Sequence, residues 1–487
     1  MCGIAGWIDW ERDLELQRDI LNKMTETMVH RGPDASGYWF AREAALGHRR
    51  LVVVDPVGGA QPMSKRCGDH QVVITYNGEL YNTFDLRRQL EALGYIFETK
   101  NSDTETLLVS YLAWGPACVD KLNGIFAFAI WDEREKRLFM ARDRMGVKPL
   151  FYAQRGKSFL FGSELKALLA HPSINPEISG EGLAEIFVMG PSRTPGHGVF
   201  YGISEIQPGC CLIYNQTGIR TWRYWHLQSH EHGDDLETTA QRVRELLEDT
   251  VARQLVSDVP ISTFLSGGLD SSAISALAAR TLHESGHEML RTFSVDYYDN
   301  DHYFESSRFQ PDSDSKWVGR VSEYLHTDHD RIVHCNTELA EALIPSLLAN
   351  DLPGMADIDS SLYLFCKEVK KKVTVALSGE CADEVFGGYP WFTSEESLRG
   401  SSFPWIRAID ERAQMLNPDV REIVRPRQYA ADRYHQALSE VPRLPGEDKW
   451  NARIREIFYL NLTRFMPTLL DRKDRMSMAW GLEVRVP

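Results

Sequence analysis

The chain has 487 residues, 43% of them hydrophobic and 25% charged, more than one hydrophobic core usually supports, so two domains are expected. A net charge of −15 argues against non-specific nucleic-acid binding and against an anionic membrane surface, while leaving room for a local basic patch that takes one small anion. No apolar run approaches the ~18 residues that cross a bilayer and no basic-then-apolar leader opens the chain, so a cytoplasmic location is expected.

The chain opens MCGIAGWI. Removal of Met1 would leave Cys2 carrying a thiol and a free α-amine, and an amine titrating near ~7.7 can take the thiol proton at neutral pH. Taken alone, a cysteine here is more often a small buried residue. The helix expected over Leu14 to Val29 places Ile20, Leu21, Met24 and Met28 on one stripe, and HRGPD ends it. Strands are expected in AALGHRRLVVVD, HQVVITYNGEL, GIFAFAIWDE and RLFMARD. A second helix spans Asp103 to Trp114, capped by Asp103 or Thr104, with Leu107, Leu108, Tyr111 and Leu112 on one face. This half reads as a mixed, mostly antiparallel α+β layer structure. The Gly- and Pro-rich stretch GPSRTPGHGVFYGISEIQPG and the polar HLQSHEHGDDLETT mark the boundary after it.

Beyond the boundary, strand and helix alternate: helix Thr239 to Leu255, strand Ile261 to Leu265, a helix from near Ser271, then strand TFSVDY. Helices follow in SKWVGRVSEYLH and TELAEALIPSLLA, and a short strand in VTVALSG, which predicts a parallel sheet covered by helices. The polar, aromatic DYYDNDHYFESSRFQPDSDS has no assigned role. The eight cysteines form no CxxC pair and have no His-rich neighbourhood, so neither a zinc site nor a disulfide framework is suggested.

In FLSGGLDSS, an apolar strand runs through glycines into a helix, bringing backbone N–H groups and the hydroxyls of Ser266 and Ser271 to a helix N-terminus. That arrangement binds phosphate. The segment lacks the GK[ST] ending of a Walker loop and does not match GxGxxG. A second turn, LSGECADEVFGGY, sets Ser378, Gly379, Glu380, Asp383 and Glu384 at another strand end, and two strand ends of one parallel sheet open on one crevice. Asp270 and Asp383 there make a carboxylate pair suited to Mg²⁺.

Together with DRKDRMSMAWGLEVRVP, these two turns resemble the synthetase domain of glutamine-dependent asparagine synthetases. MCGIAGW, HRGPDASG, HRRLVVVD, YNGELYN, SDTE, GIFAFAIWD and RDRMGVKPL resemble class II glutamine amidotransferases, so the similarity spans nearly the whole chain in order. The resemblance implies an N-terminal-nucleophile αββα sandwich over residues 2–205, a linker over 206–235 and an α/β ATP pyrophosphatase domain over 236–487. It implies that Cys2 is the glutaminase nucleophile, that Asn77 and Gly78 form the oxyanion hole, and that Arg50, Val54, Glu79 and Asp103 help bind glutamine. In the second half it implies that Leu265, Ser266, Gly268, Asp270, Ser271, Val295, Ser378 and Gly379 bind ATP, with Mg²⁺ at Asp270 and Asp383. Glu380 matches the carboxylate associated with the acyl-adenylate.

The reaction so implied hydrolyses glutamine and passes ammonia through a protected tunnel to aspartate adenylated by Mg-ATP, giving asparagine, AMP and pyrophosphate. HRGPD and GLEVRVP are expected at the interface that the tunnel crosses. Two features depart from the pattern. DLPGMADIDSSLYLF carries no arginine between Leu352 and Phe365, where relatives engage the acceptor, so another carboxylic acid acceptor stays open. The chain stops at Pro487, before the region that supplies a lysine facing the adenylate, so the synthetase end reads as cut short and a glutaminase or binding protein with a defective synthetase half is a second alternative. A homodimer is left open.

Overall fold

The computed structural model describes residues 1–190, 192–286, 289–306, 313–406 and 408–487; part of the polar insertion, residues 307–312, lies outside them. The chain forms two compact units, each drawn from three stretches. One comprises Met1–Gln228, Gly400–Pro442 and Tyr459–Asp471, the other Ser229–Arg399, Arg443–Phe458 and Arg472–Pro487. Among the described residues no helix is long and apolar enough to cross a membrane.

Among its described residues the first unit holds twelve strands: β1 (Gly3–Asp9), β2 (Ala35–Phe40), β3 (Ala44–Arg50), β4 (Met63–Cys67), β5 (His70–Leu80), β6 (Gly124–Asp132), β7 (Arg137–Arg142), β8 (Phe151–Arg155), β9 (Ser158–Gly162), β10 (Ile203–Glu205), β11 (Cys210–Asn215) and β12 (Gly218–Arg223). They form two six-stranded sheets ordered β10-β8-β9-β1-β3-β2 and β12-β11-β7-β6-β5-β4. Period-two alternation explains their stacking. In β6, Ala127, Ala129 and Trp131 face the first sheet, packing with Ile4, Ile8, Ala44, Leu46, Phe159 and Phe161. Phe126, Phe128 and Ile130 point the other way, onto Leu107, Leu108 and Tyr111 of the helix Asp103–Trp114. Helix Arg18–Glu26 covers the opposite side of the first sheet, burying Leu21 and Met24. The result is the expected αββα sandwich.

Three local readings need correction. The helix expected over Leu14 to Val29 is a 3₁₀ turn, Leu14–Leu16, capped by the Asp13 carboxylate, which accepts from Glu15 N, and then, after a break at Gln17, the helix Arg18–Glu26. The cap of helix Asp103–Trp114 is Ser102, whose hydroxyl accepts from Glu105 N at 3.3 Å. Residues 210–223, inside the segment expected as linker, are β11 and β12; Cys211 packs on the helix side of the second sheet and Leu212 and Tyr214 on the inter-sheet side.

Later segments complete this unit. Met189 packs with Phe403, Ile406, Tyr434, Ala437 and Leu460, and Ala184 and Val188 with Leu416, Val424 and Ala430. The fully buried Glu185 ties them, accepting from Thr194 N at 2.7 Å and Tyr429 Oη at 2.6 Å.

In the second unit, β13 (Ile261–Phe264), β14 (Arg291–Tyr297), β15 (Asp328–His334), β16 (Val375–Leu377) and β17 (Glu483–Arg485) form one parallel sheet in the order β15-β14-β13-β16-β17. The order reverses between β13 and β16. A doubly wound sheet opens its ligand crevice at such a switch point, beyond the carboxyl ends of the two strands. Helices Leu236–Gln254 and Leu269–Glu284 pack on the sheet through Val251, Ile274, Ala278 and Leu377. The last strand is held by Arg485, whose guanidinium pairs with fully buried Glu483 at 2.6 Å and donates to Val256 O at 2.8 Å.

Candidate active sites

The first site lies at one end of the space between the two antiparallel sheets. Parity puts its residues there. Cys2 shares the strand face of Ile4, Arg50 that of Leu46, and Asn77 that of Val73, all inter-sheet positions. The Cys2 main-chain nitrogen donates to Asn77 Oδ1 at 2.8 Å. Asn77 is fully buried, and its Nδ2 has no hydrogen-bond partner, so one amide end is bound to the Cys2 backbone and the other is an unsatisfied donor. Gly78 follows in β5, where a Cβ would stand 2.2 Å from Ile125 O. YNG lies inside β5, as the strand expected in HQVVITYNGEL requires.

Arg50 donates from Nη1 to Pro56 O at 2.9 Å and from Nη2 to Asp55 O at 2.7 Å, which folds the loop bearing Val54 around its guanidinium. Burial pushes the Cys2 thiol above its ordinary range; the terminal ammonium and Arg50 pull it back, and Glu79 pushes it further up. Cys2, Arg50, Asn77 and Glu79 thus share one electrostatic neighbourhood. Asp103 joins it from the helix layer: its Oδ2 accepts from Tyr76 Oη at 2.9 Å and from Leu80 N at 3.2 Å, at the end of β5.

Two supports were not evident from sequence. Arg87, buried, donates to Thr99 O, Lys100 O and Ser102 O and so shapes the loop leading into Asp103. Arg31 of HRGPD turns inward, donating to Cys2 O at 3.0 Å and pairing with buried Glu164 at 2.9 Å, so this motif braces the cysteine. Beneath Arg50, the fully buried His48 meets Thr75 Oγ1 at 3.1 Å, and burial, with help from Arg50, lowers its pKa to about 3.

The second site sits at the sheet's switch point. Ser266 Oγ and Ser271 Oγ are 2.9 Å apart, and Gly268 caps helix Leu269–Glu284, whose first turn carries Asp270. The turn after β16 abuts this loop, since a Cβ on Gly379 would lie 2.9 Å from Ser271 N. Ser378 is anchored through its N–H to Arg485 O, and its hydroxyl accepts from Glu380 N. Leu265 is buried behind the loop, and Val295 stands partly exposed on the neighbouring β14.

Asp270 and Asp383 both titrate above the ordinary carboxylate range, mainly through burial, with Asp270 adding to the effect on Asp383. Neither has an ion-pair partner among the described residues. Two adjacent carboxylates without a counter-cation fit a divalent ion that takes its remaining ligands from water and phosphate. Among the described residues no group of three or more His, Cys, Asp or Glu is placed to hold a metal unaided.

Glu380 is held differently. Its carboxylate bonds Arg472 and lies 2.5 Å from Lys473 Nζ; burial alone would raise it, but these two cations outweigh burial and keep it below the usual range. Arg472 also reaches Met355 Sδ at 3.1 Å, and Arg475 pairs with Asp351 at 3.2 Å. The cations that pair with Glu380 and Asp351 thus all come from helix Met466–Met478. The signal lay in DRKDRMSM, where a helix carries cations at successive positions.

Residues 1–225 match a family described as glutamine amidotransferase domain, and residues 242–487 one described as asparagine synthase. A Bacillus subtilis chain named asparagine synthetase (glutamine-hydrolyzing) 3 is 51% identical over all of this chain and 79% of its own length. The chain belongs to the glutamine-hydrolysing asparagine synthetase family. Family members are ligases with glutamine as amido donor. Similarity extends to Bacillus subtilis asparagine synthetase (glutamine-hydrolyzing) 1, 34% identical over 82% of this chain and 60% of that one. It also reaches Escherichia coli asparagine synthetase B, 32% identical over 80% of this chain and 65% of that one. A solved allosteric regulatory enzyme of purine biosynthesis aligns over 69% of this chain and 80% of that one, at 19% identity and a TM-score of 0.36.

Proposed function

We propose that Cys2, once Met1 is removed, hydrolyses glutamine and that the second unit uses the ammonia to convert adenylated aspartate to asparagine. The observation that carries the first half is the divided Asn77 amide, with its oxygen on the Cys2 nitrogen and a buried, unpartnered Nδ2 beside it. A buried thiol with a raised pKa is a poor nucleophile until a base takes its proton, and the α-amine released at Cys2 is that base. The thiolate attacks the glutamine carboxamide carbon. Asn77 Nδ2 and the Gly78 N–H receive the oxyanion, Arg50 the α-carboxylate, and Glu79 and Asp103 the α-ammonium, with Val54 lining the loop. Ammonia leaves as the tetrahedral adduct collapses to a thioester, which water opens to glutamate.

In the second unit, Leu265, Ser266, Gly268 and Ser271 cradle the ATP phosphates, Ser378 and Gly379 contact the nucleotide, and Val295 lines the adenosine pocket. Asp270 and Asp383 would hold Mg²⁺, which supplies charge neutralisation at the pyrophosphate leaving group. Glu380, kept ionised by Arg472 and Lys473, faces the acyl-adenylate. Functionally we assign glutamine hydrolysis to the first unit, which extends the expected 2–205 through β11 and β12 and takes in 400–442 and 459–471, and synthesis to the rest of 236–487. The free thiols of all eight cysteines support a reducing, cytoplasmic setting.

Glutamine labelled with ¹⁵N in its amide, supplied with Mg-ATP and aspartate, tests the reading: the label is expected in asparagine. Cys2→Ala is expected to abolish this transfer while ammonia-dependent synthesis persists, and loss of both would overturn the two-site scheme.

A further inference from the structure

A cavity in the first unit lies outside the residues assigned above. It has a volume of 70 Å³ and runs between the loops that follow β7, β10 and β12 and the helical segment around residues 459–467. Such a volume admits roughly five waters or one small tetrahedral ion, and is too small for a nucleotide. Its lining includes Arg144, Arg223, Arg464 and His226, with Trp225 and Tyr459 as aromatic walls. Arg464 is nine-tenths buried, on a turn of π-helix, Asn461–Phe465, a widened geometry found often at functional positions.

The charges do not balance. The one carboxylate in the lining, Glu440, pairs with Arg464 at 2.8 Å. Arg223 donates to the neutral Gln207 side chain at 3.1 Å and Arg144 to the Leu122 carbonyl at 3.3 Å, and neither has a carboxylate partner among the described residues. Two arginines without a carboxylate partner among the described residues therefore line one cavity, in a chain of net charge −15. Planar guanidiniums match tetrahedral oxyanions through paired N–H donors, and two of them balance a dianion where one suffices for a monocarboxylate.

We propose that this cavity binds a single phosphate-type dianion, held by Arg223 and Arg144 at the mouth and by Arg464 within. It is a second anion site, distinct from the loop that begins at Ser266. Calorimetric titration of the full chain with inorganic phosphate tests it, with acetate as the monoanion control. Saturable phosphate binding is expected, with acetate giving none. The exposed pair Arg144→Gln/Arg223→Gln should weaken it at least tenfold, Arg144→Lys/Arg223→Lys should restore part of it, and Ser271→Ala should leave it unchanged. The proposal is overturned if the Gln pair binds phosphate as the parent does, if Ser271→Ala removes the binding, or if the parent shows none.

Discussion

In the proposed glutaminase reaction the decisive group at the first site is an amide. Asn77 spends its oxygen on the Cys2 nitrogen, which orients the Nδ2 donor before any substrate arrives. Preorganised donors of this kind lower the barrier because no reorganisation is needed as charge develops. Asn77→Ala is expected to reduce kcat for glutamate release by about 100-fold, with a smaller change in KM, read in a coupled glutaminase assay. His48 beneath the site gives a different signature. Its folded pKa of about 3 lies below the ordinary 6.5, so between these values the unfolded chain binds a proton that the folded one does not. This residue's contribution is therefore full above pH 6.5 and is lost as the pH falls toward 3, by up to ~1.4 kcal/mol per pH unit. His48→Gln should flatten that part of the dependence, measured as the shift in urea midpoint between pH 7 and pH 5.

Among the elements, those with a clear period were legible. GIFAFAIWD reads as a strand because its alternate residues serve two different cores, and helix Asp103–Trp114 has the limits its stripe implies. HQVVITYNGEL was legible as a strand although Asn-Gly is a turn signal in isolation, because the nine-residue register of β5 with β6 overrides that local preference. The strands within 210–223 were hidden by their Gly- and Pro-rich flank. The supporting arginines, 31, 87 and 472, were invisible for another reason: sequence gives a charge but not the partner it folds onto. The contact between the two synthetase turns yields a prediction. Gly379→Ala places a methyl 2.9 Å from Ser271 N, so it should force the turns apart and abolish aspartate-dependent ATP–pyrophosphate exchange while glutamate release continues.

At the scale of the whole molecule, the division into two halves was legible but the interleaving was not. Residues 400–442 and 459–471 belong to the first unit, covering Ala184, Val188 and Met189. Periodicity identifies an apolar face without naming what covers it, and partners more than 200 positions apart leave no local trace. A fragment ending at Gln228 should expose that apolar surface; compared with the full chain it is expected to bind more of an environment-sensitive apolar dye and to self-associate, read by light scattering.

The same interleaving has a consequence during synthesis. The ribosome releases the amino-terminal segments first, yet the unit containing Cys2 lacks its last pieces until Asp471 has emerged. At 5–20 residues per second that is a delay of roughly 10 to 50 s after Gln228. Completion of the unit that contains Cys2 therefore waits until most of the second unit has been made.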